Sequence, residues 1–149
     1  MKKQPLIAFT MLSLVVALAV ITVSAQSSHY FQVTIPFEFA ISGKTLPPGE
    51  YIVKRVSSDE PGWLSISSIN GRTGLSVLTH NVRAGTHQAE SKLVFRRYGD
   101  QYFLSQVWEA GDSDGHELRK SRRESGLERD MAKNAARPEM VAVSGQRPR

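Results

Sequence analysis

Between Val33 and Ile41 the chain reads VTIPFEFAI, and its apolar residues fall on every second position: Val33, Ile35, Phe37, Phe39 and Ile41. A period of two places all five on one face of an extended strand and leaves Thr34, Pro36, Glu38 and Ala40 on the other. The same period returns in YIVKRV, WLSISSI, LSVLTH and LVFRRYGDQYFLSQVW, with no helical period among them. Short alternating runs at spacings of roughly 8–12 residues, separated by turn chemistry, predict an all-β fold. We expect a small antiparallel β-sandwich or partly open barrel of about six strands. A nucleotide-binding α/β fold is argued against, because strands do not alternate with helices.

The turn signals are specific. Pro36 has no N–H to give a ladder, so its strand should lie at a sheet edge or carry a bulge. Pro48-Gly49 in LPPGE suits the central pair of a type II turn. Asn70-Gly71 between two β-like runs predicts a hairpin, and a second turn is expected at or near Gly99-Asp100. A two-residue turn there pairs Phe95 with Leu104 and Arg97 with Tyr102. One face then holds Leu93, Phe95, Tyr102, Leu104 and Trp108; the other holds Val94, Tyr98, Phe103 and Val107 among polar residues. A three-residue turn would exchange these partners. A sandwich core needs only one apolar face, so the second is expected to be covered by a C-terminal helix or offered to a partner.

The chain opens with MKKQPLIAFTMLSLVVALAVITVSAQ, which reads as an export signal. Lys2 and Lys3 precede an apolar stretch, and Val23-Ser24-Ala25 places small residues before a cut between Ala25 and Gln26. Residues 1–25 are thus expected to be a signal peptide; the apolar stretch is long enough that an uncleaved membrane anchor is the alternative. The location expected is periplasmic or secreted. There is no cysteine. Disulfides, thiol nucleophiles and cysteine-bound metals are therefore excluded, and stability must come from the core alone.

Charge separates the rest of the chain. From His116 onward nine Lys/Arg face five acids, whereas eight bases and nine acids nearly cancel between Gln26 and Gly115. Residues 26–115 are read as the β domain. Residues 116–137, with capping-box patterns Ser121/Glu124 and Ser125/Glu128, are read as a polar basic helix that leans on the domain through Leu127 and Met131. Residues 138–149 are read as a disordered tail. On an exported protein the basic segment is expected to meet anionic surfaces rather than nucleic acid.

Candidate chemistry is sparse. No Gly-x-Ser-x-Gly elbow accompanies His29, His80, His87 or His116, and surface histidine is the simpler reading. GDSDGHE offers Asp112, Asp114 and Glu117 as oxygen ligands, but the remaining acids of a calcium loop are missing and these residues also suit a plain connection. Glu38, Glu50, Glu90 and Glu109 lie on separate segments, with nothing to single out a glycosidase pair. No catalytic residue, metal or cofactor is expected. The cluster Arg96, Tyr98, Asp100 and Tyr102 at the hairpin tip is the candidate binding surface.

The blocks IPFEFAISGKTLPPGEYIV, KLVFRRYGDQYFLSQVW and ELRKSRRE together resemble a family of small exported bacterial proteins that carry similar blocks in the same order. The resemblance spans roughly Val33 to Arg129 and implies export and a shared architecture, with no catalytic residues. LPPGEYIV is also similar to the Pro-Gly-x-Tyr corner of transthyretin-like and other immunoglobulin-like sandwich modules. The functional expectation is a non-enzymatic β-domain that binds or scaffolds a component of the cell envelope or extracellular space. The alternative is a small hydrolase acting on polysaccharide with dispersed carboxylates.

Overall fold

The alternating runs become strands in a computed structural model that describes residues 30–56 and 62–148. The signal segment, Ala25, Gln26 and His29 lie outside the described residues. In chain order the elements are β1 (Tyr30–Ile35), β2 (Phe39–Ile41), β3 (Lys44–Leu46), β4 (Gly49–Arg55), β5 (Trp63–Ser68) and β6 (Gly74–Arg83). They continue with β7 (Lys92–Tyr98), β8 (Gln101–Trp108), β9 (Asp114–Leu118), helix α1 (Arg122–Lys133) and β10 (Glu139–Gln146).

The single apolar run at 33–41 is split. Pro36 cannot donate to a ladder, and β1 stops at Ile35 just before it. Phe37 and Glu38 cross to β2, so the expected strand becomes two. Gly49 does not take the positive φ of a type II turn; it opens β4 opposite Ile35. What holds that corner is Tyr51, which is fully buried and donates its hydroxyl to the Pro47 carbonyl at 2.6 Å. Burial pushes the Tyr51 phenol above its ordinary pKa.

The strands form an eight-stranded antiparallel barrel in the cyclic order β8-β7-β10-β1-β4-β5-β6-β9, closed by pairing of β9 with β8. This corrects the sandwich expectation. The β2–β3 hairpin extends from the barrel, because β2 runs parallel to the first part of β8 (Phe39↔Tyr102) while β9 takes the last part (Trp108↔Gly115). Eight strands leave an interior about wide enough for side chains to fill. Phe31, Val33, Ile35, Tyr51, Val53, Leu64, Ile66, Leu93, Phe95, Leu104 and Val107 fill it, each at most 3% exposed. With ~1.5–3 kcal/mol from each large apolar side chain buried, this core accounts for a fold that has no disulfide.

Two stretches read as tail belong to the barrel. His116, Glu117 and Leu118, assigned above to the helix, complete β9; His116 and Leu118 are buried, and Leu118 joins the core. Residues 139–146, assigned to a disordered tail, form β10, which pairs with β7 from Glu139↔Arg97 to Ser144↔Lys92. Its seam with β1 is short: only Gln32↔Gln146 and Val33↔Gly145 are in register. Gly145 is needed there, since a Cβ would run into the ring of buried Phe31.

The 93–108 hairpin has the two-residue turn. Tyr98 pairs with Gln101, Phe95 with Leu104, and Gly99 sits at φ 61°, which a glycine takes freely. Beyond the turn, an irregularity between Val94 and Phe95 leaves Ser105 without a partner residue and shifts the register. Leu93 then meets Val107 inside, whereas Trp108 is carried to the outer face opposite Lys92 and Gly115. Trp108 and Val107 thus exchange the faces expected from simple alternation, as a bulge requires.

The outer face of this hairpin is covered. Leu127 and Met131 of α1 pack on Ala40, Tyr98 and Phe103, a cluster separate from the barrel core. Ser121 caps the helix, accepting from the Glu124 N–H at 3.2 Å. The helix is accordingly shorter than expected, 122–133 rather than 116–137. No helix among the described residues is long and apolar enough to cross a membrane.

Candidate functional site

The four residues expected at the hairpin tip do not form one surface. Arg96 is 7% and Tyr98 3% exposed, both beneath α1, while Asp100 is exposed and Tyr102 is half-buried. Arg96 and Tyr98 are thus no part of an accessible surface. Arg96 Nε donates to Glu124 Oε1 at 2.6 Å, the Tyr98 hydroxyl donates to the same oxygen at 3.4 Å, and Glu117 lies 3.7 Å from Arg96 Nη1. Burial, with the Glu124 carboxylate beside it, pushes the Tyr98 phenol up to about 12. Glu124 therefore does not complete a reciprocal capping box; its side chain turns inward to Arg96. This cluster docks the helix, since removing either charge would strand the other out of water.

A second buried polar cluster lies among β4, β6 and β9. Thr79 donates its hydroxyl to the Gly62 carbonyl at 2.8 Å, which leaves its oxygen to accept from His116 Nδ1–H at 3.2 Å. His116 Nε2 then carries a lone pair toward Arg55 Nη2 at 3.5 Å. Arg55 in turn meets Glu109 at 3.5 Å and Asp112 at 3.7 Å. Burial, then the Arg55 guanidinium, lowers the His116 pKa, against the opposite pull of Glu109, Asp112 and Asp114. Thr79 and His116 resemble a nucleophile and base in proximity only. The hydroxyl proton points to a carbonyl and the imidazole nitrogen facing it is a donor, so the pair cannot activate a nucleophile as placed.

The His116 arrangement predicts a pH dependence. Below about pH 6.5 an unfolded chain protonates this histidine, while the folded protein resists doing so beside Arg55. The contribution is therefore intact above pH 6.5 and lost as pH falls below it. Urea midpoints of the wild type are expected to drop between pH 7.5 and 5.5 more than those of His116→Asn. Equal slopes in the two proteins would contradict the neutral assignment.

The other candidates are dispersed. His80 Nε2 accepts from Arg119 Nε at 2.7 Å, and His87 Nδ1 donates to the Gly111 carbonyl at 2.9 Å. Asp112, Asp114 and Glu117 each meet a different arginine, Arg55, Arg83 and Arg96. Among the described residues no group of three or more His, Asp or Glu is placed to hold a metal ion. Glu90 accepts from the Ser144 hydroxyl at 2.9 Å.

An accessible surface lies at one end of the hairpin. A depression of about 100 Å³ is lined by Phe37, Glu38, Thr45, Asp100, Gln101, Tyr102 and Arg123, above the buried Phe39, Ala40 and Phe103. The Phe37 and Tyr102 rings stack there at 3.8 Å, and the Arg97 guanidinium lies 5.5 Å from the Tyr102 ring centre. Arg123 hydrogen-bonds Gln101 across the depression. It also lines a larger hollow of about 390 Å³ with Arg119, Lys120, Ser121, Arg122, Ser42 and Gly43. The basic segment that charge counting singled out is thereby joined to the hairpin tip. Sequence reasoning missed Phe37, Thr45 and Gln101, because the first reads as core and the others as ordinary polar positions. Comparison with protein-family models, curated proteins and solved structures gives no match.

Proposed function

We propose that this protein is a non-enzymatic binding or scaffolding domain that acts after export, in the cell envelope or outside the cell. The observation that carries the reading is the filled barrel: its interior is occupied by side chains, so a ligand must be met on the outer surface. Among the described residues, the surface bridged by Arg123 combines concavity, aromatic rings and net positive charge. Export rests on the 1–25 signal pattern and on the resemblance to small exported bacterial proteins. Against the hydrolase alternative stands the engagement of Glu109 and Asp112 with Arg55, since a working acid pair needs a free cleft between its carboxylates.

The test is to mix the protein with cell-envelope fragments and with cell-wall and plant polysaccharides, measuring both co-sedimentation and release of reducing ends. Co-sedimentation that weakens with salt is expected, without reducing ends above the buffer level. Release that disappears on substitution of Glu38 or Asp100, the exposed carboxylates of the depression, would establish a hydrolase instead. Absence of co-sedimentation would remove the binding reading.

A further inference from the structure

Resting on the binding reading above, we infer that the Arg123-bridged surface is a site for an acidic glycan, a sugar chain carrying carboxylate or comparable anionic groups. The argument lies in the opposite character of its two ends. The smaller depression offers Asp100 and Glu38 as acceptors, the Gln101 amide and the Thr45 hydroxyl as donors and acceptors, and the half-buried Phe37–Tyr102 stack. Asp100, Glu38 and Thr45 are exposed. Such a mixture suits the hydroxyls and C–H surface of a sugar ring. The larger hollow offers Arg119, Lys120, Arg122 and Arg123, all exposed. Glu128 partly offsets Lys120. Arginine forks match carboxylate geometry.

A polyanion without hydroxyls fits this surface poorly, because Asp100 and Glu38 would repel it at one end and receive no hydrogen bond in return. A neutral glycan leaves the cations of the other end without a partner. A single-stranded nucleic acid would stack its bases on open ring faces, whereas Phe37 and Tyr102 stack on each other. A flat bilayer would not enter two concavities. A chain with hydroxyl-rich and anionic portions satisfies both ends, with Arg123 reaching each.

The experiment measures binding of the full chain to three probes: polygalacturonate, its methyl ester, and polyphosphate of matched total charge. Polygalacturonate is expected to bind at least about tenfold tighter than the methyl ester, which keeps the sugar and removes the charge, and than polyphosphate, which keeps the charge and removes the sugar; tenfold corresponds to about 1.4 kcal/mol. Arg122→Glu with Arg123→Glu should abolish most polygalacturonate binding. Asp100→Ala should weaken polygalacturonate severalfold while leaving polyphosphate unchanged or improved. The three-probe comparison needs no variant, so a misfolded double variant would leave the test intact. Equal binding of polyphosphate and polygalacturonate would overturn the inference in favour of a bare charged patch. Failure to bind polygalacturonate beyond its methyl ester would overturn it too, and envelope co-sedimentation persisting alongside would show that only the ligand class, and not the binding reading, had failed.

Discussion

A protein ending at Ala136 is expected to have no cooperative unfolding transition and to aggregate. The truncation removes β10, and with it the partner of β7 along its length and of β1 at Gln32 and Val33. Two edges of an otherwise closed sheet would then lie open, a template for association with other chains. The seam also covers Phe31, whose ring packs against Gly145. A domain of this size has ~5–15 kcal/mol of net stability, and losing a barrel strand removes a large part of it. Circular dichroism melts and size-exclusion chromatography of the truncated chain would show this. A monomer melting within a few degrees of the full protein would mean that β10 is an accessory and the barrel is held by its other strands.

The next largest effect is expected at Glu124. Glu124→Ala leaves the Arg96 guanidinium buried under the helix, with only Glu117 at 3.7 Å to answer it. Breaking a buried pair in this way costs ~3–5 kcal/mol. An Arg96→Met/Glu124→Leu double variant replaces both charges with apolar groups of similar volume, and is expected to recover most of that loss. Urea unfolding of the three proteins would measure both. If Arg96 were solvated at a hairpin tip, Glu124→Ala would cost under ~1 kcal/mol, as surface changes usually do.

The contrast between those two readings of Arg96 shows where the sequence stops speaking. The strands from β4 to β8 were legible because their alternation is local and their turns carry glycine, asparagine or proline at the expected places. The place of the turn at Gly99-Asp100 followed from the same chemistry; its length did not, since a three-residue turn fits the same residues and only the Tyr98↔Gln101 pairing decides between them. Ser105 was not legible: one residue without a partner exchanges the faces of Val107 and Trp108, and no local signal marks it. β10 was hidden for a different reason. EMVAVSGQ does alternate, but its apolar residues are small or half-exposed, follow a polar helix and Pro138, and carry no turn signal to either neighbour. What makes it a strand is the pair of edges waiting on β7 and β1, which are distant in sequence.

The site was partly legible. Asp100 and Tyr102 do line an accessible depression, and the basic run does lie on the surface. Arg96 and Tyr98 looked equivalent to them because aromatics and arginines are as common in interfaces as under covering helices. What separates the two pairs is Glu124, 28 residues from Arg96, which read as a helix-capping residue. Nothing local in ESGLERD shows that its first side chain turns inward.

Closure of the barrel by the C-terminal strand is the claim on which the rest depends, since it fixes the filled interior and leaves only outer surfaces for binding. Amide hydrogen exchange of the full chain under native conditions reports it residue by residue. The amides of β10 that bond to β7 between Val141 and Ser144 are expected to exchange with the slow amides of β7 and β8, as one cooperative unit. Exchange of Val141 to Ser144 at the rate of an open chain, while β7 and β8 stay protected, would contradict the closed barrel.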